Sequence, residues 1–366
     1  MKISQICFSG LGGHSSVVFS LIAANSQKKI NWQIGFIGNE PLSDSNQINC
    51  KKYDVNYKYF KFISGKRIHA WMNLYRWLKY SKPRFIICHS TSMIIPCYIY
   101  SFINSVKLIS VEHTPNSQKK YIEWFFGMLS MYLSSQVILL TNNYLKEIKK
   151  AYKILFIPSK FQVISNGIDT GTFIQNKKNF SELIHQKEII LGMAARFSAQ
   201  KKQDLLIQVT DYLNKKQDKY IFKLFLAGDG DTEESCKSLV ADKNLNSSVF
   251  FHGYLNEEDL VKWFMSIDIY LHATDGETLS TSILQAMSCG IPIIASDIDG
   301  VSNLLHQDEH YGLTSANSIN EFSGSIIDLL NSPHKLKEIS ENANKKVLSD
   351  YSNIKMLTKY LDALVT

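Results

Sequence analysis

Short runs typical of β-strands alternate with helix-length segments along nearly the whole chain. In the first half, the β-type runs cover residues 3–8, 32–37, 85–88, 108–111, 137–140 and 161–164. After a polar stretch at 175–187, a second series covers 189–194, 222–227, 249–251, 267–271 and 291–295. Such alternation predicts parallel sheets with helices on both faces. Because the series restarts, we predict two Rossmann-like, doubly wound α/β domains.

Charge differs sharply between the two halves of the 366-residue chain. Residues 1–168 contain 21 Lys and Arg against 6 Asp and Glu, a net charge of +15. Residues 169–366 contain 19 against 27, a net charge of −8. A basic half joined to an acidic half indicates that only the first faces an anionic partner. We expect a first domain over 1–168, a second over 169–350 and a closing helix within 351–366.

Simple features of the sequence argue against several classes of protein. The six cysteines form no C-x-x-C pair, which disfavours a disulfide scaffold or a structural zinc and fits a reducing cytosol. The apolar run before Gly10 is too short for a secretory signal, so none is expected. No stretch reaches about 18 unbroken apolar residues. We expect residues 122–141 to form a buried helix followed by a strand.

Glycines follow the first predicted strand, in the loop at 10–14. Gly12 and Gly13 let the backbone approach a phosphate or sugar, and the next helix N-terminus favours an anion. The alternative is a tight turn without a ligand. The loop is not a G-x-G-x-x-G sequence, and no acidic residue closes the second strand to hold a ribose. A nicotinamide-dependent oxidoreductase is therefore disfavoured.

The segment 271–292 carries the strongest functional signal. A predicted strand ends, a polar loop follows, and a helix is expected to start near Leu279 and to stop at Gly290. The free N–H groups at about 279–281 would form a positive site for a diphosphate. Glu277 precedes that site and can accept hydrogen bonds from sugar hydroxyls. Gln285 lies two turns along the helix, at a distance from which its side chain could reach a ribose. The alternative is a solvated loop with a capped helix, which explains the caps but not the position of Glu277.

Two cations follow the first strand of the second series. Arg196 comes directly after that strand, and Lys201 comes before the next helix. Fixed cations at the carboxyl end of a strand suit a pyrophosphate and would stabilise charge on a departing diphosphate. The alternative is an ordinary pair of surface cations.

Several motifs occur together in one order. They are Val111-Glu-His113-Thr, Val163-Ile-Ser-Asn166-Gly167, Arg196…Lys201, Leu226-Ala-Gly-Asp-Gly230, Phe251-His-Gly253-Tyr254 and Glu277…Gln285-Ala-Met…Gly290…Pro292. Together they resemble the retaining glycosyltransferases of family 4, which have the GT-B fold. The resemblance spans nearly the whole chain.

The resemblance implies a role for each domain and for particular residues. It implies that 1–168 binds the acceptor, that 169–350 binds a nucleotide-sugar across a facing cleft, and that the helix in 351–366 crosses back. The expected catalytic residues are Arg196, Lys201, Glu277 and His113. The expected donor-binding residues are Gly12, Gly13, Asn166, Gly228, Gly253, Tyr254, Thr278, Leu279, Ser280, Thr281 and Gln285. The family has a ribose-binding glutamate where this chain has Gln285, so we expect altered nucleotide binding.

The expected reaction is sugar transfer with retention of anomeric configuration, without a metal or other cofactor. The donor is a nucleotide-sugar, with UDP-sugars favoured over GDP-sugars. The acceptor is a glycan or a polyprenyl-diphosphate-linked sugar of a surface polysaccharide. Two alternatives stay open: a sugar-nucleotide epimerase of the GT-B type, and an inactive sugar-nucleotide-binding protein.

Residues 51–84 are rich in both basic and aromatic side chains. They contain ten Lys and Arg, one Asp and nine aromatic residues. Within 69–81, Trp71, Leu74, Tyr75 and Leu78 recur at helical spacing. This pattern favours contact with an anionic membrane surface, and hence a cytoplasmic protein bound peripherally to the membrane. The alternative is that the aromatic residues pack inward. Nucleic acid is not an expected partner, because no binding motif for it accompanies the patch.

Overall fold

The structure is a computed structural model that describes residues 1–10, 13–26, 29–39, 41–62, 67–114, 119–152, 156–173, 183, 185–305 and 311–365. It divides into two units. Met1–Asp169 and Asn353–Thr366 form the first unit, and Thr170–Ser352 form the second.

The first unit is built on a parallel sheet of seven described strands. Its order is β3-β2-β1-β4-β5-β6-β7. The strands are β1 (Lys2–Phe8), β2 (Asn31–Gly38), β3 (Asn56–Lys61), β4 (Phe85–Cys88), β5 (Lys107–Glu112), β6 (Gln136–Leu139) and β7 (Phe161–Val163). The helices between them are α1 (Gly13–Ala23), α2 (Asp44–Lys52), α3 (Arg67–Ser81), α4 (Ile94–Asn104), α5 (Tyr121–Leu133) and α6 (Asn142–Ala151).

Alternating side chains of the buried strands supply two separate cores. Ile3 of β1 packs in the same cluster as Leu21 of α1, whereas Ile6 packs with Leu74 of α3. The period-two alternation of a strand puts these residues on opposite faces of the sheet. Both faces are therefore covered, which explains the near-continuous apolar runs of the central strands.

The second unit repeats this plan with six described parallel strands in the order β10-β9-β8-β11-β12-β13. The strands are β8 (Glu188–Ala194), β9 (Ile221–Ala227), β10 (Val249–Gly253), β11 (Ile269–His272), β12 (Ile293–Ser296) and β13 (Leu313–Ser315). The helices are α7 (Gln203–Lys216), α8 (Glu233–Asp242), α9 (Glu257–Ser266), α10 (Thr281–Ser288), α11 (Asp299–Leu305), α12 (Ile319–Leu330) and α13 (Pro333–Asp350). The fold class predicted from the alternation is confirmed.

The last helix, α14 (Asn353–Val365), belongs to the first unit although it follows the second in sequence. Its buried face includes Met356 and Tyr360, which join the core cluster of α1. The backbone N–H of Gly167 lies 3.1 Å from the Met356 Sδ, and the N–H of Asn353 donates to the Ile168 carbonyl at 2.8 Å.

The structure corrects the expectation of a buried helix within 122–141. Helix α5 covers the first part of that segment, and β6 follows it. Phe126 of α5 is buried, but Tyr121, Ile122 and Tyr132 are more than half exposed. The helix therefore packs on one side only. Among the described helices, none is both long enough and apolar enough to cross a bilayer.

Candidate active site

The strand order of the second unit reverses between β8 and β11. In a doubly wound sheet, ligands bind outside the carboxyl ends of the strands at such a switch point. The loop after β8 carries Lys201, and the loop after β11 carries Glu277. Lys201 and Thr274 form an isolated β-bridge, and the N–H of Lys202 donates to the Ala273 carbonyl at 3.1 Å. The two loops are thereby joined at the switch point.

Lys201, Glu277 and His272 form a compact charged cluster. The Lys201 Nζ donates to the Glu277 Oε2 in a short ion pair, with both side chains mostly buried. The His272 Nε2 lies 3.4 Å from the Glu277 Oε2 and 3.4 Å from the Lys201 Nζ. The sequence pattern places His272 at the end of a strand but indicates no role for it.

Buried neighbours fix the orientation of His272. The Tyr270 hydroxyl donates to the Ala194 carbonyl at 3.2 Å and lies 3.2 Å from the His272 Nδ1. Because an ionised carboxylate can only accept, the neutral His272 carries its proton on Nε2, directed at the Glu277 Oε2, and its unprotonated Nδ1 lies beside the Tyr270 hydroxyl. His272 thus acts as a neutral neighbour of the ion pair.

The cluster keeps Glu277 ionised. Burial would raise the pKa of its carboxyl, but the hydrogen bond from His272 and the Lys201 charge outweigh burial and bring the pKa to about 2. Burial lowers the pKa of His272, and the Lys201 charge lowers it further. At neutral pH the cluster therefore presents a fixed carboxylate, a cation and a neutral imidazole.

Hydrogen bonds hold the Glu277 loop in place. The Ser296 Oγ donates to the Asn317 Oδ1 at 2.5 Å, and the Asn317 Nδ2 donates to the Thr274 carbonyl at 3.0 Å. A Cβ on Gly300 would lie 1.8 Å from the Glu277 carbonyl oxygen, so only glycine allows helix α11 to approach this closely. The loop is fixed from both sides.

Helix α10 begins later than predicted. Its first residue is Thr281, and its N-cap is Ser280, whose hydroxyl accepts from the Ile283 N–H at 3.4 Å. The start expected near Leu279 is therefore wrong by two residues. The amides of Thr281 and Ser282 stay available to an anion in the first turn. Leu279 is buried, so its side chain serves packing, whereas Thr278 is half-buried beside Glu277.

Gln285 lies on α10 with its side chain half-buried. Its position one turn after Thr281 follows the predicted helix. The carboxamide keeps an acceptor oxygen, but it lacks the negative charge of a glutamate.

Arg196 and Gly228 lie on neighbouring loops. The exposed Arg196 guanidinium is 3.7 Å from the exposed Asp231 carboxylate, an arrangement that contributes little stability. Gly228 has a φ of +128°, and a Cβ there would lie 2.1 Å from the Ala195 carbonyl oxygen. Gly228 therefore supports the loop that carries Arg196.

Gly253 and Tyr254 follow β10. The Gly253 carbonyl accepts from the Gly228 N–H at 2.7 Å, and Tyr254 is 48% exposed. Gly253 has a φ of +63°, a left-handed conformation that favours glycine.

Two Asp-x-Asp sequences also occur in this unit, Asp229/Asp231 and Asp297/Asp299. Arg196 is the salt-bridge partner of Asp231, and the Ser302 Oγ donates to the Asp297 Oδ1 at 2.5 Å. In the part of the chain that the structure describes, no group of three His, Cys, Asp or Glu is arranged to hold a metal ion.

Three histidines lie together at the switch point of the first unit, between β1 and β4. The His89 Nδ1 is 2.9 Å from the His113 Nε2, and the His89 Nε2 is 3.0 Å from the Gln5 Oε1. The rings of His14 and His113 stack at 4.1 Å. From its sequence position alone, His89 is expected to be structural, and neither Gln5 nor His14 stands out.

These hydrogen bonds determine which ring nitrogens of His89 and His113 carry a proton. With the Gln5 oxygen as acceptor, His89 carries its proton on Nε2 and accepts on Nδ1. His113 then donates from its Nε2, so its Nδ1 is unprotonated. Burial lowers the pKa of His113 well below its ordinary value, and the charges of His14 and His89 lower it further. Burial also brings the pKa of His89 to about 3.

The other site residues predicted in the first unit are Gly12, Gly13 and Asn166. Gly12 lies outside the described residues, and Gly13 is the first residue of α1. Asn166 is buried, and its Oδ1 has no hydrogen-bond partner among the described residues. The adjacent Gly167 carbonyl accepts from the Ser20 Oγ at 2.6 Å, which ties the segment to α1.

The aromatic residues of 51–84 mostly face inward. Phe60 is buried, and six others pack against the two cores of the first unit: Tyr53, Tyr59, Phe62, Trp71, Tyr75 and Trp77. Tyr57 and Tyr80 are the two with large exposure, at 44% and 88%. The helical stripe predicted in 69–81 is thus the core-facing side of α3, and the exposed part of this stretch is mainly basic.

Two family models match adjacent parts of the chain. The model described as "Glycosyltransferase Family 4" matches residues 38–172, and "Glycosyl transferases group 1" matches 174–346. Between them they cover most of the sequence, and they meet near the division between the two units. The chain belongs to the family 4 glycosyltransferases.

Curated relatives carry the same type of activity. A poly(ribitol-phosphate) alpha-N-acetylglucosaminyltransferase of Staphylococcus aureus is 27% identical over 48% of this chain, a match that spans only 35% of that relative's length. A galactosyltransferase of Escherichia coli, named as acting on alpha-D-GlcNAc-diphosphoundecaprenol with UDP-Gal, is 24% identical over 82% of this chain and 80% of its own.

Solved structures share the fold. The Anabaena protein HepE, crystallised with UDP and glucose, superposes with a TM-score of 0.81 at 17% identity, over 100% of this chain and 99% of its own. At this level of identity the likeness shows the GT-B fold and nothing about specificity.

Proposed function

We propose that this glycosyltransferase moves a sugar from a nucleotide-activated donor, with UDP-sugars favoured, to a hydroxyl of a glycan or polyprenyl-diphosphate-linked acceptor, with retention of configuration. The observation that carries the proposal is the contact between Lys201 and Glu277 at the switch point of the second unit. It combines a cation for the diphosphate with a fixed carboxylate for the sugar hydroxyls. The named activities of the two relatives support an acceptor in surface polysaccharide assembly.

The proposed reaction proceeds on one face of the sugar. The bond from the anomeric carbon to the diphosphate oxygen breaks, and the acceptor oxygen attacks from the same side. The proton of the acceptor hydroxyl passes to the departing diphosphate. Arg196, Lys201 and the amides at the start of α10 stabilise the growing negative charge. Among the described residues, no carboxylate besides Glu277 contacts Lys201 or His272, which favours this route over a covalent intermediate.

A thermal-shift screen tests the donor class. Because a ligand that binds only the folded state raises the Tm, UDP-sugars should raise it more than GDP-sugars at equal concentration. The Lys201→Met variant should lose most of that shift. No shift with any nucleotide-sugar, in the wild-type protein, would contradict the proposal.

We expect turnover to be independent of divalent metal. Arg196, Lys201 and the α10 amides supply the positive charge that a bound cation supplies in metal-dependent enzymes. Activity in excess EDTA should therefore match that in Mg²⁺ within about twofold. Loss of turnover in EDTA, with recovery on adding Mg²⁺ or Mn²⁺, would show instead that a metal ion neutralises the diphosphate, with the Asp-x-Asp sequences as its candidate ligands.

Replacing Gln285 with glutamate should tighten donor binding. A carboxylate accepts hydrogen bonds from ribose hydroxyls about twice as strongly as a carboxamide does. We expect the donor KM to fall about fivefold in Q285E while kcat changes little. Q208E, on α7, adds the same charge to the same unit and should leave KM unchanged. Equal effects of the two variants would exclude a ribose contact.

His89 and Gln5 are proposed to position His113, which hydrogen-bonds a donor-sugar hydroxyl in its neutral form. His89→Phe removes the acceptor for the His113 Nε2–H and should lower kcat about tenfold with little change in donor KM. Because His89 helps to lower the pKa of His113, the acidic limb of the kcat–pH profile should move to higher pH. His89→Asn keeps an acceptor oxygen and should recover part of kcat. If the acidic limb of the kcat–pH profile of H89F does not move, His89 has only a structural role.

Peripheral association with the cytoplasmic membrane is part of the proposal. Support comes from the net charge of +15 in residues 1–168, and from the basic, exposed side of 51–84. An anionic surface attracts such a patch over roughly a Debye length. Failure of the protein to bind anionic vesicles at physiological salt would remove this part and leave the transfer reaction in place.

A further inference from the structure

A cavity of about 420 Å³ lies between the edge strand β3 and helix α3. Lys58 and Lys61 line it from the strand, and Arg76 lines it from the helix. The buried Phe60 and the half-buried Trp77 form its floor, with ring centroids 5.8 Å apart. We call it the β3–α3 pocket. It belongs entirely to the first unit and contains none of the residues assigned above to donor binding or catalysis.

The pocket is positively charged without compensation. No carboxylate lines it, and within the described residues none of Lys58, Lys61 and Arg76 takes part in a salt bridge. By contrast, many described lysines of the second unit form salt bridges with a carboxylate, as Lys202 does with Asp275. Three unpaired cations around one concave space attract an anion that can accept several hydrogen bonds, such as a phosphate.

The surroundings of the pocket are apolar as well as basic. His69, Asn73, Arg76 and Tyr80 recur at helical spacing and line the pocket from α3. Ile68 and Met72, one position before His69 and Asn73, are 68% and 48% exposed, and Tyr80 is 88% exposed. A soluble phosphate gains nothing from exposed aliphatic side chains. A phosphate attached to hydrocarbon binds more tightly beside such side chains, because they can enter the acyl layer.

We propose that the β3–α3 pocket binds the phosphate of an anionic phospholipid headgroup, with Ile68, Met72 and Tyr80 entering the adjacent hydrocarbon. The pocket thereby sets which surface of the first unit faces the bilayer. This inference deepens the membrane association proposed above and rests on it. It is independent of the identity of the donor and of the transfer reaction.

The test is co-sedimentation of the full-length protein with vesicles, in the absence of donor and acceptor. Wild-type protein should bind vesicles of phosphatidylglycerol and phosphatidylcholine far better than vesicles of phosphatidylcholine alone. The double variant K58S/R76S should lose about 25-fold in partitioning, since each basic residue at an anionic surface contributes about fivefold. Lys149 and Lys150 are exposed on α6, so K149S/K150S removes equal charge elsewhere and should lose no more than a few-fold.

A second pair of variants separates a lipid phosphate from a free one. I68S/M72S keeps the cations and should lose vesicle binding about tenfold. Inorganic phosphate should raise the Tm no more in wild type than in K58S/R76S. If phosphate instead stabilises only the wild type and I68S/M72S binds vesicles normally, the ligand is a soluble phosphate and the proposal is wrong.

Two results distinguish this inference from the function it rests on. If K58S/R76S binds anionic vesicles as K149S/K150S does, the pocket is excluded while membrane association stands. If the wild-type protein does not bind anionic vesicles, both the pocket's role and the membrane association are excluded. Glycosyl transfer to a soluble acceptor still tests the reaction. All substituted side chains are exposed, so unchanged Tm values are expected to show that the variants fold.

Discussion

Replacing Glu277 with glutamine is expected to lower kcat/KM for sugar transfer by a factor of about 10² to 10³. The wild-type carboxylate is ionised at neutral pH, because His272 and Lys201 hold its pKa at about 2. An ionised carboxylate accepts hydrogen bonds from sugar hydroxyls as charge develops in the transition state. Glutamine has the same shape but carries no charge, and its Nε2 can only donate hydrogen bonds. Initial rates of transfer over a range of donor concentrations measure the effect.

The pH dependence of stability provides a control for E277Q. A carboxyl whose pKa is lower in the folded protein stabilises the fold above its unfolded pKa, and that contribution is lost as the pH falls through the folded value. The wild-type protein should therefore be more stable than E277Q at pH 7. The difference in Tm should shrink as the pH falls from about 5 toward 2. A pH-independent difference, or wild-type transfer by E277Q, would contradict the assigned charge state.

The second large effect is expected at Lys201. Lys201→Met should lower kcat for transfer about a hundredfold, because one fixed charge near a departing diphosphate contributes on this scale. The side chain is only 15% exposed and contacts both Glu277 and His272. Methionine keeps its length and packing while removing the charge. Single-turnover measurements with saturating donor separate the chemical step from binding.

Lys202 is the matched control for this substitution. It is adjacent in sequence, but its Nζ pairs with the half-exposed Asp275 at 2.7 Å rather than with Glu277. Lys202→Met should change kcat less than about threefold. Comparable losses in K201M and K202M would indicate that general electrostatics, rather than the contact with Glu277, explains the result.

Strands with strong apolar periodicity can be predicted from the sequence, and weak ones cannot. The run at 85–88 is strand β4 itself. Strand β3 escapes prediction because it lies at the sheet edge, where only Phe60 of its six residues is buried. Strand β13 escapes prediction because its three residues, Leu-Thr-Ser, include only one apolar side chain. Local pattern carries little signal where tertiary packing decides the structure.

Residues of the site can be predicted only where a local sequence pattern, such as a polar loop directly after a strand, marks them. Glu277 and Lys201 are identified by their places after strands, although their roles stay predictions. His272 escapes prediction because its partner Lys201 lies 71 positions away, and a lone histidine carries no local signal. Gln5 lies 84 positions from His89. Gly300 carries no signal either, because its close approach to Glu277 depends on how α11 packs.

The aromatic stretch 51–84 shows how composition misleads about exposure. Tyrosine and tryptophan suit both a membrane surface and a core, and helical spacing does not distinguish the two. In the structure, Trp71 and Tyr75 pack against the core, while Arg76 and Tyr80 face solvent. The basic side chains, rather than the aromatic stripe, therefore define the exposed surface.

The central claim is that the chain transfers a sugar from a nucleotide-sugar with retention. Proton NMR of a reaction containing a UDP-sugar and a polyprenyl-diphosphate-linked sugar tests it most directly. The account predicts release of UDP and a new glycosidic linkage with the anomeric configuration of the donor. An inverted linkage, or an epimerised nucleotide-sugar formed without acceptor, would contradict it.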